Sequence, residues 1–109
     1  MNRIGVQSIG SIYADNIEDG YRMIKEAGFD CVDFNFDEYL PCGLVYENRI
    51  NDCLDRPMEE MWRDFEPHAA AAKKYGLTFE QMHAPFPMMV KGNEDINRKM
   101  YRITVNSIR

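Results

Sequence analysis

Three times along the chain, a short strand-like segment is followed by a longer amphipathic segment. This alternation constrains the fold more than any other feature of the sequence, because it is typical of parallel strands joined by right-handed helical crossovers. The pattern predicts strands at 3–7, 31–36 and 78–83, and helices at 17–27, 57–75 and from 93 onwards. The sequence therefore predicts an α/β fold of about three βα units.

The helix ends carry recognisable signals. Asp15 or Asn16 is suited to cap the first helix, and Gly28 is suited to end it in the left-handed conformation. Asp55, followed by Pro57, is a good start for the second helix, in which Pro67 predicts a kink. The stretch 39–56 between the second strand and this helix is predicted to be a long irregular loop.

Composition excludes several classes of function. The net charge is −5, without a basic stripe, so a nucleic-acid partner is not expected. No apolar run approaches the roughly 20 residues of a membrane span, and the start MNRIGVQSIG lacks the apolar core of a secretory signal. The three cysteines form no CxxC pair, which favours reduced thiols. We expect a cytoplasmic protein with no membrane partner.

The turn after the first strand lacks GxGxxG, which disfavours a dinucleotide-binding fold.

Polar residues that follow or close the predicted strands are the candidate ligand-binding residues. His83 closes the third strand, where its imidazole can contact substrate or ligate a metal. Alternation puts Gln81 on the same face as His83, and Glu80 on the other. Each candidate also has a purely structural interpretation, in which it fills a polar layer or binds a loop. The predicted substrate-binding set is Gln7, Asp33, Asn35, Gln81 and His83.

No catalytic residue and no metal ligand is assigned within the chain. Ser8, Ser11 and Ser107 have no evident base beside them. His68 is predicted to be a solvated histidine of the second helix, because that helix belongs to the outer layer of such a fold. The apolar residues Trp62 and Phe65 of the same helix are predicted to pack in the core.

Four segments in order resemble the N-terminal part of the xylose-isomerase-like barrel superfamily, which includes sugar phosphate isomerases and epimerases and the endonuclease IV branch. They are IGVQS, EAGFDCVDFNF, AAAAKKYGLTFEQMHAPF and an Asn/Asp/Ile-rich helix start. The His-Ala-Pro tripeptide that closes the third strand is the most specific of these features. The family often has Glu where this chain has Asp33. The side chain that could contact substrate at this position is therefore one methylene shorter.

The resemblance implies a partial (β/α)₈ TIM barrel, with residues 1–109 as its single N-terminal (βα)₃ portion. It implies that the full-length parent is a sugar or sugar-phosphate isomerase or epimerase, and that this span is inactive alone while contributing part of the substrate pocket. A divalent metal (Mn, Mg, Co or Zn) is implied in the parent, held by later strands. Two alternatives stay open: a non-catalytic self-associating binding module, and an endonuclease IV-like phosphodiesterase.

A sheet of only three strands also predicts that the chain associates with a second copy of itself. A complete barrel usually needs about 250 residues, and this chain has 109. The outer edges of the first and third strands would then lack partners, and unpaired edges are templates for another chain. We therefore expect a homo-oligomer.

Overall fold

A computed structural model describes residues 2–109 and confirms the alternation of strands and helices. The three strands form one parallel sheet in the order β1-β2-β3. The elements, in chain order, are β1 (Gly5–Gln7), α1 (Ile17–Glu26), β2 (Cys31–Asn35), a 3₁₀ turn (Phe36–Glu38), α2 (Cys42–Tyr46), α3 (Met58–Lys74), β3 (Thr78–His83) and α4 (Glu94–Ile108). The α/β class and the parallel strands were thus correctly predicted.

The chain divides into two compact units. The first contains the sheet and comprises the residues up to Asn35 together with Trp62–His83. The second comprises Phe36–Met61 and Ala84–Arg109. The five residues predicted to bind substrate all belong to the first unit.

The core of the first unit lies on one face of the sheet. Val32 of β2 and Tyr21 of α1 are fully buried there. Phe34, two residues after Val32, makes an edge-to-face contact with Phe65 of α3 at a ring-centroid distance of 6.3 Å. Since side chains two apart on a strand share a face, α1 and α3 cover the Val32–Phe34 face. The buried cluster contains Ile12, Tyr21, Ile24, Val32, Ala71, Ala72 and Leu77.

Gly20 lies in the interior of α1, where glycine ordinarily weakens a helix. A Cβ atom built on Gly20 would lie 2.8 Å from the backbone oxygen of Ser11 and 3.0 Å from Cα of Ile12. The missing side chain therefore lets the helix approach the loop that follows β1. The predicted helix end is also confirmed, because Gly28 has a φ of 90° directly after the last turn of α1.

Several local predictions about α3 were wrong. Asp55 does not cap the helix: Pro57 accepts the first helical hydrogen bonds, from the amides of Glu60 and Met61. Trp62 is 59% exposed rather than packed in the core. His68 is not solvated, since only 4% of its surface is exposed. α3 continues from Met58 to Lys74 and includes Pro67, where the expected kink stays a prediction.

The second unit contains more regular structure than predicted. α2 lies wholly within the stretch 39–56 that was predicted to be irregular, and the 3₁₀ turn directly precedes that stretch. Asp55 is bound by Arg102 of α4, with Nη2 of the arginine 2.9 Å from Oδ2. That guanidinium lowers the pKa of the Asp55 carboxyl. Asn93 caps α4, and its Oδ1 accepts from the amide of Ile96 at 3.1 Å.

Between residues 2 and 109, no helix is both long and apolar enough to cross a membrane.

Candidate functional site

The five predicted site residues lie in two neighbouring rows at the carboxyl ends of the strands. Gln7, Asp33 and Gln81 occupy aligned positions of β1, β2 and β3. Asn35 is aligned with His83 one step further toward the carboxyl end. Because aligned residues of neighbouring strands point to the same side, and alternate residues of one strand do too, these side chains share a face of the sheet. It is the face opposite Val32 and Phe34. We call these five residues the carboxyl-end cluster.

One hydrogen bond joins two members of this cluster. Nδ1 of His83 lies 2.9 Å from Oδ1 of Asp33. The Asp33 side chain is 24% exposed and that of His83 is 43% exposed, so the pair is partly shielded from water but accessible to a ligand. The sequence placed both residues on the cluster face without predicting that they would bond to one another.

The two glutamines of the chain flank this pair, and their side-chain amides are free to bind a ligand. Neither the Gln7 nor the Gln81 side chain has a hydrogen-bond partner within residues 2–109. Gln81 is exposed and Gln7 is half-buried. A primary amide both donates and accepts hydrogen bonds. The cluster therefore offers donors and acceptors beside the carboxylate and imidazole.

Ser8 is a supporting residue that the sequence analysis missed. It is 3% exposed, and its Oγ accepts a hydrogen bond from the backbone amide of Asn35 at 2.8 Å. Its own amide donates to the carbonyl of Asp33 at 2.9 Å. These two bonds continue the pairing of β1 and β2 beyond Gln7 and fix the backbone that carries Asp33 and Asn35. A serine directly after a strand that ends in a turn was the available signal.

A bulge in β3 separates this cluster from a second polar group. The register passes from Val32–Phe79 to Asp33–Gln81 and skips Glu80. Glu80 accepts from Thr78 Oγ1 at 2.8 Å and is also bound by Arg3, near the amino ends of the strands. The expectation of simple alternation along this strand was therefore wrong at Glu80, while Gln81 and His83 do share a face.

Metal binding would require more donors than the described residues bring together. No group of three or more His, Cys, Asp or Glu side chains across 2–109 is placed to hold an ion. Within the carboxyl-end cluster, His83 and Asp33 are the residues of these types. Nδ1 of His83 and Oδ1 of Asp33 are already engaged in the hydrogen bond between them. The residues present do not form a metal centre. The cysteines Cys31, Cys42 and Cys53 are free thiols.

The second histidine lies on the opposite, helix-covered face. Nδ1 of His68 lies 3.2 Å from the hydroxyl of Tyr21, and its ring is 4.9 Å, centroid to centroid, from that of Phe34. Burial lowers the pKa of His68 to about 4, because desolvation penalises the charged imidazolium. His68 is therefore neutral near pH 7 and belongs to the core rather than to the cluster.

An apolar cleft of about 300 Å³ runs along α1 beside β1. Its walls include Val6, Tyr13, Met23, Ala27 and Phe29. None of the carboxyl-end cluster lines it. The best candidate for ligand chemistry is thus an open polar surface rather than this cleft.

No protein-family model, curated protein or solved structure matches the chain.

Proposed function

We propose that this chain contributes part of a pocket for a sugar or sugar phosphate, located at the carboxyl ends of its parallel strands. The observation that carries the proposal is the His83–Asp33 bond in the middle of the carboxyl-end cluster. The pair is flanked by the amides of Gln7 and Gln81, on one accessible face. In parallel α/β folds, ligands bind at this end of the strands.

The chemistry of the cluster suits a polyhydroxylated ligand. Each sugar hydroxyl donates one hydrogen bond and accepts others, so it is best bound by a surface that mixes donors and acceptors. Asp33 supplies acceptors, and the two glutamine amides supply both kinds of group. The cluster contains no lysine or arginine, so a phosphate group would have to be bound outside it. We therefore expect the sugar portion of the ligand to contact these residues.

We also propose that the three strands are the first three of a (β/α)₈ barrel. Parallel strands in sequential order, with α1 and α3 on one face of the sheet, agree with such an arrangement. The parent enzyme would be an isomerase or epimerase, and its divalent metal would be held by residues of later strands. Among residues 2–109, no set of side chains forms that metal site.

The test is a titration of the purified chain with D-xylose, D-ribose and D-fructose 6-phosphate, followed by ligand-detected NMR. A partial pocket should bind with a dissociation constant of about 1 mM, equivalent to roughly −4 kcal/mol. Gln81→Ala should weaken binding, because it removes an exposed amide of the cluster. Glu66→Ala, a similar truncation of an exposed residue of α3, is the matched control and should not. Equal affinities for the two variants, or no binding of any sugar, would contradict the proposal.

We propose homo-association as a second property, favoured by the exposure of the sheet edge. β3 is an edge strand, and its residues Phe79 and Met82 are 44% and 43% exposed. Exposed apolar residues on an unpaired strand favour pairing with another chain. A second copy of this chain is the partner that we propose.

A further inference from the structure

The contact between His83 and Asp33 determines which nitrogen of the imidazole carries the proton. An ionised carboxylate can only accept hydrogen bonds. An Nδ1–Oδ1 distance of 2.9 Å therefore requires that Nδ1 be the donor. In a neutral imidazole, one nitrogen is protonated and the other keeps its lone pair. With the proton on Nδ1, the lone pair is on Nε2.

We infer that Asp33 is a positioning residue that holds His83 in the Nδ1-protonated tautomer, so that Nε2 accepts a hydrogen bond from a ligand hydroxyl. This inference rests on the proposed function for the class of ligand, but not for the tautomer itself. Nε2 has no hydrogen-bond partner among residues 2–109. The His83 side chain is 43% exposed, so the ring is partly open to solvent. At this position the site selects for a ligand that donates a hydrogen bond.

The surroundings of the pair favour a fixed geometry. Asp33 is in the central strand, and its backbone carbonyl accepts from the amide of Ser8 at 2.9 Å. His83 is aligned with Asn35, which is 8% exposed. The carboxylate is therefore attached to an ordered part of the sheet, and the imidazole is oriented by a bond to a neighbouring strand. This is the usual arrangement of a carboxylate that orients a functional histidine.

The direct test is the long-range ¹H–¹⁵N correlation spectrum of the ¹⁵N-labelled chain, which distinguishes the two imidazole tautomers. For neutral His83 we expect a protonated Nδ1 and an unprotonated Nε2. The opposite tautomer in the folded wild-type chain would overturn the inference, and this result does not depend on any variant or ligand.

Asp33→Ala tests the role of the carboxylate. It should move the ring proton of His83 toward Nε2, which histidine prefers in water, while Asp19→Ala on the exposed face of α1 should leave the wild-type tautomer unchanged. Retention of the Nδ1-protonated form in folded Asp33→Ala would overturn the assignment of Asp33 as the positioning residue. Asp33→Ala should also weaken D-xylose binding about tenfold, as expected for a misoriented hydrogen-bond acceptor.

The same measurements separate the two proposals. If wild-type His83 has the expected tautomer but no sugar perturbs its ring nitrogens, the sugar ligand and the proposed function fail while the positioning by Asp33 stands. If sugars bind but His83 has the opposite tautomer, the proposed function stands and the inference fails.

Discussion

Replacing His68 by glutamine should remove a large part of the acid sensitivity of the fold. His68 is 4% exposed, and its Nδ1 lies 3.2 Å from the Tyr21 hydroxyl. A glutamine is similar in size, can bond the same hydroxyl and does not titrate. The two proteins therefore differ at this site chiefly in whether a buried group can become charged.

The magnitude follows from the pKa of the imidazole in the two states. Burial lowers the His68 pKa from its ordinary value of 6.5 to about 4. The unfolded chain therefore binds the proton more tightly, and the stabilising effect of keeping His68 neutral is complete above pH 6.5. It is lost as the pH falls from about 6.5 to about 4. The difference of about 2.5 pKa units corresponds to about 3 kcal/mol.

Urea unfolding of the wild type and His68→Gln between pH 7.5 and pH 4 measures this effect. As the pH falls, the unfolding free energy of His68→Gln should increase by about 3 kcal/mol relative to that of the wild type. Tyr21→Phe is the matched control: it removes the hydroxyl but leaves His68 buried, so it should keep the wild-type pH dependence. Parallel curves for the wild type and His68→Gln would refute the assignment of His68 as a buried neutral residue.

Three further outcomes are expected. Gly20→Ala should lower the unfolding free energy by about 1–3 kcal/mol in urea titrations, because the added Cβ meets the Ser11 backbone oxygen at 2.8 Å; unchanged stability would contradict this close approach. The purified 109-residue chain should not turn over a keto-sugar with or without manganese or magnesium, and robust metal-dependent epimerisation would contradict this. Light scattering at micromolar concentration should show species larger than a monomer. We expect the interface between copies to bury well above the roughly 800 Å² of crystal contacts. A concentration-independent monomer would show that the sheet edges do not associate.

The features predicted best were those that depend on local patterns. The bounds of β3 agree with the prediction, and those of α1 and β2 agree to within one residue. In β2, apolar and polar side chains alternate, so the two faces could be assigned before the structure was known. The alignment of the cluster residues follows from that alternation and from parallel pairing. The Asp33–His83 bond depends on the register between two strands, which no local pattern determines.

One missed feature, the burial of His68, had a local signal, whereas others depend on tertiary contacts. His68 was assigned to solvent because it follows Pro67 in an outer-layer helix. However, Phe65, His68 and Ala72 are spaced by three and four residues, and this periodicity places the histidine on the apolar face. Trp62 does not belong to that face. The bulge at Glu80 and the pairing of Asp55 with Arg102 have no local signal, because both arise from partners distant in sequence.

The central claim is that a polyhydroxylated ligand binds at the carboxyl-end cluster. The most direct measurement is amide and side-chain chemical-shift mapping of the ¹⁵N-labelled chain during a titration with D-xylose. The account predicts saturable shifts at Gln7, Asp33, Asn35, Gln81 and His83, with little change at Glu66 on α3. Shifts confined to the apolar cleft beside β1, or none up to concentrations well above about 1 mM, would contradict it.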